Sequence, residues 1–219
     1  MLAENNTELK TINDWVMRTR AATQTPARLL LMLHGLSGDE DSMWVFTNNF
    51  PKTYSTLAPR AIHPAPQMGF TWRPLQPGTF GRPSLEELRP AAEALINLVD
   101  VFARETGLDA TTFDAIGFSQ GAALTNVLSF LFPHRIGKAA ILAGFIPSGM
   151  ESLGEGNPLT GKSVFVAHGT LDETVPIDRA RASIQFLKDA GAQVTVSESA
   201  VGHKLSVDGL RALEIFLRA

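Results

Sequence analysis

The chain has 219 residues and a formal net charge of −3, and 44% of its residues are hydrophobic while 19% are charged. This composition predicts a soluble globular protein and excludes a disordered one, and the 19 basic residues are too scattered to form the basic surface that nucleic acid or anionic lipid requires. The absence of cysteine excludes disulfides, thiolate metal ligands and a cysteine nucleophile, and it fits a reducing compartment.

The length fits one domain over residues 1–219. The first residues have neither the basic nor the apolar stretch of a secretory signal, and no apolar run approaches the roughly 20 residues that a membrane helix needs. We therefore expect a cytoplasmic protein with no stable membrane insertion and no nucleic-acid partner.

The first elements alternate between apolar runs and a segment of helical appearance. Residues 15–21 alternate loosely, as an edge strand does, and 27–35 form a nearly all-apolar run closed by glycine, which is typical of a strand buried on both faces. Residues 40–50 are predicted as a helix, and 54–60 as a second central strand.

The segment 61–83 is predicted to be irregular. It is rich in proline and glycine and contains Phe70, Trp72 and Phe80. Because long loops inside a compact domain are often functional, this segment is a candidate lid or pocket wall. Its apolar residues leave a homodimer surface as a third interpretation.

The second half alternates helices and strands. A helix over 84–107 begins at a capping box formed by Ser84 and Glu87. Strands alternating with helices predict an α/β fold with a mostly parallel central sheet and helices on both faces. The remaining strands are predicted at 111–118, 138–144, 162–169 and 192–199, and the remaining helices at 119–132, 177–191 and 206–219.

The run DAIGFSQGAAL places Ser119 between Gly117 and Gly121, where a predicted strand gives way to a predicted helix. Glycines at these positions let the two backbones approach closely, so the pattern predicts a nucleophile elbow with Ser119 as the nucleophile. The backbone N–H of Gln120 can then face an oxyanion formed at this serine. The alternative is that Ser119 only caps its helix.

A serine nucleophile requires a histidine base and a carboxylate that orients it. In α/β hydrolases the histidine comes last in the chain, which leaves His134, His168 and His203. His134 follows a helix end, where it suits the helix dipole, and His168 ends a strand. His203 lies in the loop between the last strand and the last helix and is the predicted base, although a solvated loop histidine is its alternative.

Three carboxylates follow the strand over 162–169. Glu173 is expected to be solvated and Asp178 to lie in the first turn of a helix. Asp172 is the predicted partner of His203, because it is nearest the strand end and backbone amides can hold its short side chain.

The second oxyanion donor is expected in the sequence HGLSGDE, residues 34–40, directly after the first central strand. Its glycines allow the chain to fold back so that the Leu36 amide faces Ser119. His34 is predicted to be structural and to bond to the backbone.

Five blocks of this sequence, LLMLHGLSGDE, IGFSQGAAL, ILAGFIP, VAHGTLDETVP and GHKLS, stand in the order found in the phospholipase/carboxylesterase family of small α/β hydrolases, which the chain resembles. The resemblance implies an α/β-hydrolase fold with no large cap domain, no cofactor and no metal. It also implies a triad of Ser119, Asp172 and His203 with an oxyanion hole made by the amides of Leu36 and Gln120.

The function implied by this resemblance is that of a serine carboxylesterase acting on small or medium-chain esters through an acyl-enzyme. A thioesterase, lysophospholipase or acyltransferase with the same triad is one alternative, and a non-catalytic binding module of this fold is another. The resemblance places 143–147, with Phe145, along the acyl site. Trp72 is a candidate pocket residue, but its surroundings depart from the eukaryotic thioesterase pattern, and packing of the loop is the alternative role.

Overall fold

The computed structural model describes residues 6–75 and 82–219. Helices within these residues are α1 (Leu85–Thr106), α2 (Gln120–Leu131), α3 (Ile177–Asp189) and α4 (Val207–Arg218). The strands are β1 (Glu8–Ile12), β2 (Trp15–Arg20), β3 (Arg28–Leu33), β4 (Tyr54–Pro59), β5 (His63–Pro64), β6 (Phe70–Thr71), β7 (Phe113–Phe118), β8 (Ile136–Leu142), β9 (Ser163–Gly169) and β10 (Gln193–Ser199).

Eight strands form one sheet in the order β1-β2-β4-β3-β7-β8-β9-β10. All pairs from β4 to β10 are parallel, and β1 and β2 add an antiparallel edge. Strands β5 and β6 form a separate antiparallel hairpin. The predicted α/β class with a mostly parallel sheet is confirmed. Within the residues described, no helix is both long enough and apolar enough to span a bilayer.

The sheet is covered on both faces because its central strands are apolar on both sides. In β3, Leu29, Leu31 and Leu33 belong to the core that contains the buried faces of α1, α2 and α3. The alternate residues Leu30 and Met32 belong to a second core with α4. This period-2 division is what a two-sided buried strand requires, and it confirms helices on both faces.

The helix predicted over 40–50 is wrong, because only Trp44–Phe46 forms a short 3-10 turn there. The carboxylate of Asp39 accepts hydrogen bonds from the Asp41 amide at 3.1 Å and the Ser42 hydroxyl at 2.8 Å, which stabilises a turn rather than a helix. Most of the apolar residues that suggested helical spacing still pack in or against the core, but Val45 is 68% exposed.

The segment 61–83 is more regular than predicted, because it contains the hairpin of β5 and β6. Gly69, with φ +69°, forms part of the turn between these strands. Strand β1 was also missed, since only its last residue is buried and its sequence therefore shows no apolar alternation.

Helix α1 begins as predicted. The Ser84 side chain accepts a hydrogen bond from the Glu87 amide, and the Glu87 carboxylate accepts one from the Ser84 amide at 2.8 Å. Glu87 also forms an ion pair with the buried guanidinium of Arg73, so the start of α1 is attached to the segment that follows β6.

Candidate active site

Ser119 lies at the junction of β7 and α2 in a conformation that non-glycine residues rarely adopt. Its φ of 54° and ψ of −114° turn the chain sharply, and its amide donates to the carbonyl of Leu142 at 2.9 Å. Such strain persists only where the surroundings enforce it, and it is common at functional sites. The Ser119 side chain makes no capping bond to α2, so the alternative of a simple helix cap is wrong.

The two glycines that flank Ser119 allow three backbones to meet. A Cβ atom on Gly117 would lie 2.1 Å from the carbonyl oxygen of Gly121, and one on Gly121 would lie 2.1 Å from the carbonyl oxygen of Leu33. Neither glycine has a positive φ, so space rather than backbone conformation requires them. The close approach of β7, α2 and β3 is what fixes the turn at Ser119.

Gly117→Ala is expected to lower the free energy of unfolding by about 3 kcal/mol or more, because backbone atoms cannot move aside as a flexible side chain would. Urea unfolding measures this change. The matched control is Gly107→Ala after α1, where nothing lies within 4 Å of the added Cβ and only the positive φ opposes the change. A smaller loss for Gly117→Ala than for Gly107→Ala contradicts this account of the elbow.

His203 lies in the loop between β10 and α4 and contacts both other members of the predicted site. Its Nε2 atom is 2.9 Å from the Ser119 hydroxyl oxygen, and its Nδ1 atom is 2.7 Å from Oδ2 of Asp172. The His203 side chain is 23% exposed, whereas that of Asp172 is fully buried. The three side chains therefore form one hydrogen-bonded chain that runs from the cavity into the interior.

The carboxylate of Asp172 is oriented by its own loop. Oδ1 accepts hydrogen bonds from the amides of Thr174 and Val175, both at 2.9 Å, which leaves Oδ2 for His203. Glu173 is exposed, and Asp178 is exposed in the first turn of α3. Neither of these two carboxylates bonds to His203 in the described part of the chain.

The other two candidate histidines lie elsewhere. His168 is buried at the end of β9, where its Nε2 donates to the Val175 carbonyl at 2.8 Å and lies 3.4 Å from Oδ2 of Asp172. It thus anchors the loop that carries Asp172. His134 is exposed, three residues beyond the end of α2. Of the three histidines, His203 is the one that contacts Ser119.

Ser119 and His203 open onto a cavity of about 480 Å³. Phe145 lies in its wall, as the resemblance implied, and the guanidinium of Arg179 stacks on the Phe145 ring at 3.9 Å from the centroid. Leu36 and Gln120 also line the cavity. The other wall residues are Gly35, Ser37, Pro83, Phe118, Thr174 and Val175.

The backbone amides of Leu36 and Gln120 are the predicted oxyanion donors. Both residues line the same cavity as Ser119, and within the described residues neither amide donates to a protein acceptor. Two such amides beside a nucleophile can stabilise negative charge on a bound carbonyl oxygen. Among the residues that the structure covers, no group of three or more His, Asp or Glu side chains could hold a metal ion.

The candidate pocket residue Trp72 is not among the residues that line this cavity, contrary to the prediction. Its side chain is 1% exposed, and its Nε1 donates to the His34 carbonyl at 2.8 Å. The indole packs against the rings of His34 and Trp15. Packing of the loop, the alternative considered for this aromatic residue, is therefore its role.

The 61–83 segment reaches the cavity at its end, because Pro83 lies in the wall. Phe80 lies outside the described residues. The interpretation of this segment as a lid or as a dimer surface stays a prediction.

His34 is structural, as predicted, and is held as a neutral ring. Its Nε2 accepts a hydrogen bond from the Ala61 amide at 3.0 Å, so Nδ1 carries the proton that faces the Gly35 carbonyl 2.7 Å away. Burial lowers the pKa of His34, since the charged ring loses its hydration. The ring supports the loop that contains Leu36.

Because the unfolded chain takes up a proton on His34 that the folded protein resists, the free energy of unfolding should fall as the pH drops below about 6.5. His34→Gln keeps an acceptor for Ala61 but cannot be protonated. Between about pH 7 and pH 5.5, we expect the free energy of unfolding of His34→Gln to fall less steeply than that of wild type, by up to about 1.4 kcal/mol per pH unit. Urea unfolding at both pH values tests this, with exposed His134→Gln as the control, and equal slopes for wild type and His34→Gln contradict it.

Sequence reasoning missed the hairpin of β5 and β6 as part of the site. Phe70 pairs with the loop that carries Leu36, and Thr71 bonds to the side chain of Gln120. A proline-rich sequence with two-residue strands has no periodicity that reveals such pairing. The local signal that could have found it is Gly69, because a glycine can mark a site where another backbone approaches closely.

Comparison with known proteins gives the evolutionary context of this site. The sequence profile of the phospholipase/carboxylesterase family matches residues 16–219. The chain belongs to this family. The phospholipase/carboxylesterase family has the α/β-hydrolase fold, which agrees with the sheet and helices described above, and the described residues contain no large cap domain.

Relatives with similar sequences include plant and fungal proteins. A probable carboxylesterase SOBER1-like of Arabidopsis thaliana is 31% identical over 151 residues, which are 66% of this chain and 56% of that protein. The match to plant relatives thus spans only about half of their length. Acyl-protein thioesterase 1 of Eremothecium gossypii is 30% identical over 180 residues, 76% of this chain and 75% of the relative.

A solved structure of the same fold is the carboxylesterase of Bacillus cereus. It superposes with a TM-score of 0.80 at 26% identity and covers 91% of this chain and 92% of its own. The carboxylesterase of Mesorhizobium loti, at 22% identity and a TM-score of 0.81, shares the fold.

Proposed function

We propose that the protein is a serine carboxylesterase that hydrolyses small or medium-chain carboxylic esters through an acyl-enzyme. The observation that carries this proposal is the hydrogen-bonded chain from Ser119 through His203 to Asp172, which ends at a cavity. The names of the relatives support it, since they include carboxylesterases.

In the proposed reaction, Ser119 Oγ attacks the ester carbonyl carbon while His203 Nε2 takes the hydroxyl proton. The carbonyl oxygen becomes an oxyanion that accepts hydrogen bonds from the amides of Leu36 and Gln120. The carboxylate of Asp172 accepts a hydrogen bond from the Nδ1–H group of His203. This bond keeps Nε2 unprotonated, so that it can act as a base, and it stabilises the imidazolium that forms.

The tetrahedral intermediate then expels the alcohol, which leaves with the proton from His203. Water attacks the resulting acyl-enzyme, with His203 Nε2 now taking a proton from the water molecule. The carboxylic acid departs as that proton returns to Ser119. Apart from the ester and water, the groups used in these steps all belong to this chain.

The dimensions and lining of the cavity support a substrate of modest size. Its volume of about 480 Å³ lies within the range of small-molecule sites, and Phe118, Phe145 and Val175 supply apolar wall for an acyl chain. We further propose that the protein is a single cytoplasmic domain that acts on small molecules and uses neither a cofactor nor nucleic acid. Whether it forms a homodimer stays a prediction.

The second candidate is a thioesterase with the same residues, and the relative named acyl-protein thioesterase 1 favours it. Transfer of the acyl group to an alcohol or amine differs only in the acceptor. A non-catalytic binding module is disfavoured by the strained serine and its hydrogen-bonded histidine, which binding alone does not require.

A series of p-nitrophenyl esters from acetate to palmitate, with a matched butyryl thioester, tests the proposal. We expect kcat/KM to be highest for short or medium acyl chains and higher for the oxygen ester than for the thioester. Preferential turnover of the thioester supports the second candidate, and added alcohol that diverts the acyl group identifies a transferase. If wild type hydrolyses none of the esters faster than the Ser119→Ala variant does, the proposal is contradicted.

A further inference from the structure

The side chain of Gln120 has a hydrogen-bonding arrangement that its backbone role does not explain. It is 7% exposed, and its Oε1 accepts a hydrogen bond from the Trp72 amide at 3.0 Å. Its Nε2 donates to Thr71 Oγ1 at 3.0 Å. Gln120, which directly follows the candidate nucleophile, is therefore hydrogen-bonded to Thr71 of β6 and to Trp72.

The same short segment holds the loop on the other side of the cavity. The Ser37 amide donates to the Phe70 carbonyl, and the Phe70 amide donates to the Gly38 carbonyl, both at 2.9 Å. Leu36 lies directly before Ser37, whose φ is +66°. Consecutive residues from Phe70 to Trp72 thus bond to the loop that carries Leu36 and to Gln120.

The approach of this segment to the Leu36 loop is tight as well as hydrogen-bonded. A Cβ atom on Gly69 would lie 2.0 Å from the Ser37 carbonyl oxygen. Trp72 adds a further bond to the base of the loop, through its indole N–H and the His34 carbonyl.

We infer that the Gln120 carboxamide is a positioning group, which sets the spacing between the two oxyanion amides by bonding to the Phe70–Trp72 segment. This inference rests on the proposed function. The amide of Gln120 contacts the reacting oxygen, whereas its side chain acts through Thr71 and Trp72. Preorganised donors of this kind stabilise a transition state more than a bound substrate, because the charge develops only during the reaction.

Glutamine suits this position because both ends of its carboxamide are used. The Trp72 amide can only donate, so Oε1 must face it, and Nε2 then faces Thr71. Thr71 Oγ1 can in turn donate to the Arg73 carbonyl at 3.1 Å. A methionine at position 120 has a similar length and volume and forms none of these bonds.

The test compares Gln120→Met, Thr71→Val and the double variant with wild type, using p-nitrophenyl butyrate. We expect each single variant to lower kcat by about 10- to 100-fold, with KM changed by no more than about 2-fold. Because the two side chains act as one unit, the double variant should lose little more than either single variant. Binding of a trifluoromethyl ketone, whose adduct with Ser119 carries an oxyanion, should weaken in the same proportion as kcat/KM.

Thr125→Val is the matched control for Thr71→Val. Thr125 is fully buried one turn into α2 and donates to the Gly121 carbonyl at 2.9 Å, so its loss also removes a buried hydroxyl bond. Its thermal midpoint should fall while kcat stays at the wild-type value. If Gln120→Met does not fold, Thr71→Val gives the same readout after loss of a hydroxyl alone.

The inference is overturned if the folded Gln120→Met and Thr71→Val variants keep kcat within about 2-fold of wild type. It is also overturned if kcat falls while the affinity for the trifluoromethyl ketone does not. Failure of the proposed function is distinguishable from both, since wild type would then hydrolyse the ester no faster than Ser119→Ala.

Discussion

Ser119→Ala is expected to lower kcat/KM for p-nitrophenyl butyrate by about 10³- to 10⁶-fold, because no other group can form the acyl-enzyme. The free energy of unfolding should change by no more than about 1 kcal/mol, which is the value of one hydrogen bond. Alanine meets the same backbone strain as serine at a φ of 54°, and the Ser119 side chain does not cap α2. Activity and stability should therefore separate in this variant.

Ser129→Ala is the matched control for this change. Ser129 is a buried serine within α2, and its hydroxyl donates to the Thr125 carbonyl at 2.8 Å. We expect a small loss of stability and wild-type kcat/KM. Initial rates and urea unfolding of both variants make the comparison, and a Ser119→Ala protein that keeps a tenth or more of the wild-type rate contradicts the assignment.

Asp172→Asn is expected to lower kcat by about 10⁴-fold although it keeps the number of non-hydrogen atoms in the side chain. The amides of Thr174 and Val175 require an oxygen at one position, so the Asn side-chain NH₂ group must face Nδ1 of His203. The imidazole then has to accept at Nδ1 and carries its proton on Nε2, toward Ser119. In that tautomer it cannot act as the base.

Glu173→Gln removes the charge from the adjacent, exposed carboxylate and serves as the control. Its kcat should match wild type at neutral pH. Circular dichroism shows whether Asp172→Asn keeps its fold, and the kinetic comparison is made on folded protein. Equal kcat values for Asp172→Asn and Glu173→Gln argue that Asp172 is only structural.

Much of the fold could be predicted because its central strands have a clear physical signature. The apolar run that became β3 is buried on both faces, and the Gly-Ser-Gly spacing marked the junction of β7 and α2. Chain order then separated His203 from His134 and His168 without any knowledge of distance. The structure places Ser119 and His203 within hydrogen-bond distance, while their catalytic roles stay predictions.

What could not be predicted depends on contacts between distant parts of the chain. The spacing of apolar residues over 40–50 resembles a helix, but the side chain of Asp39 favours turns, and tertiary packing accounts for the apolar positions. Trp72 looked equally suited to a pocket wall and to loop packing. Its partner, the His34 carbonyl, is 38 residues away in sequence, and no local pattern reveals such a bond.

The most direct test of the central claim is labelling with a fluorophosphonate, followed by mass spectrometry of the digested protein. We expect one adduct per chain on the peptide that contains Ser119, formed rapidly by wild type and very slowly by His203→Ala. Ester hydrolysis that persists after Ser119 is fully labelled contradicts it, and so does loss of hydrolysis through an adduct on another residue while Ser119 is unmodified.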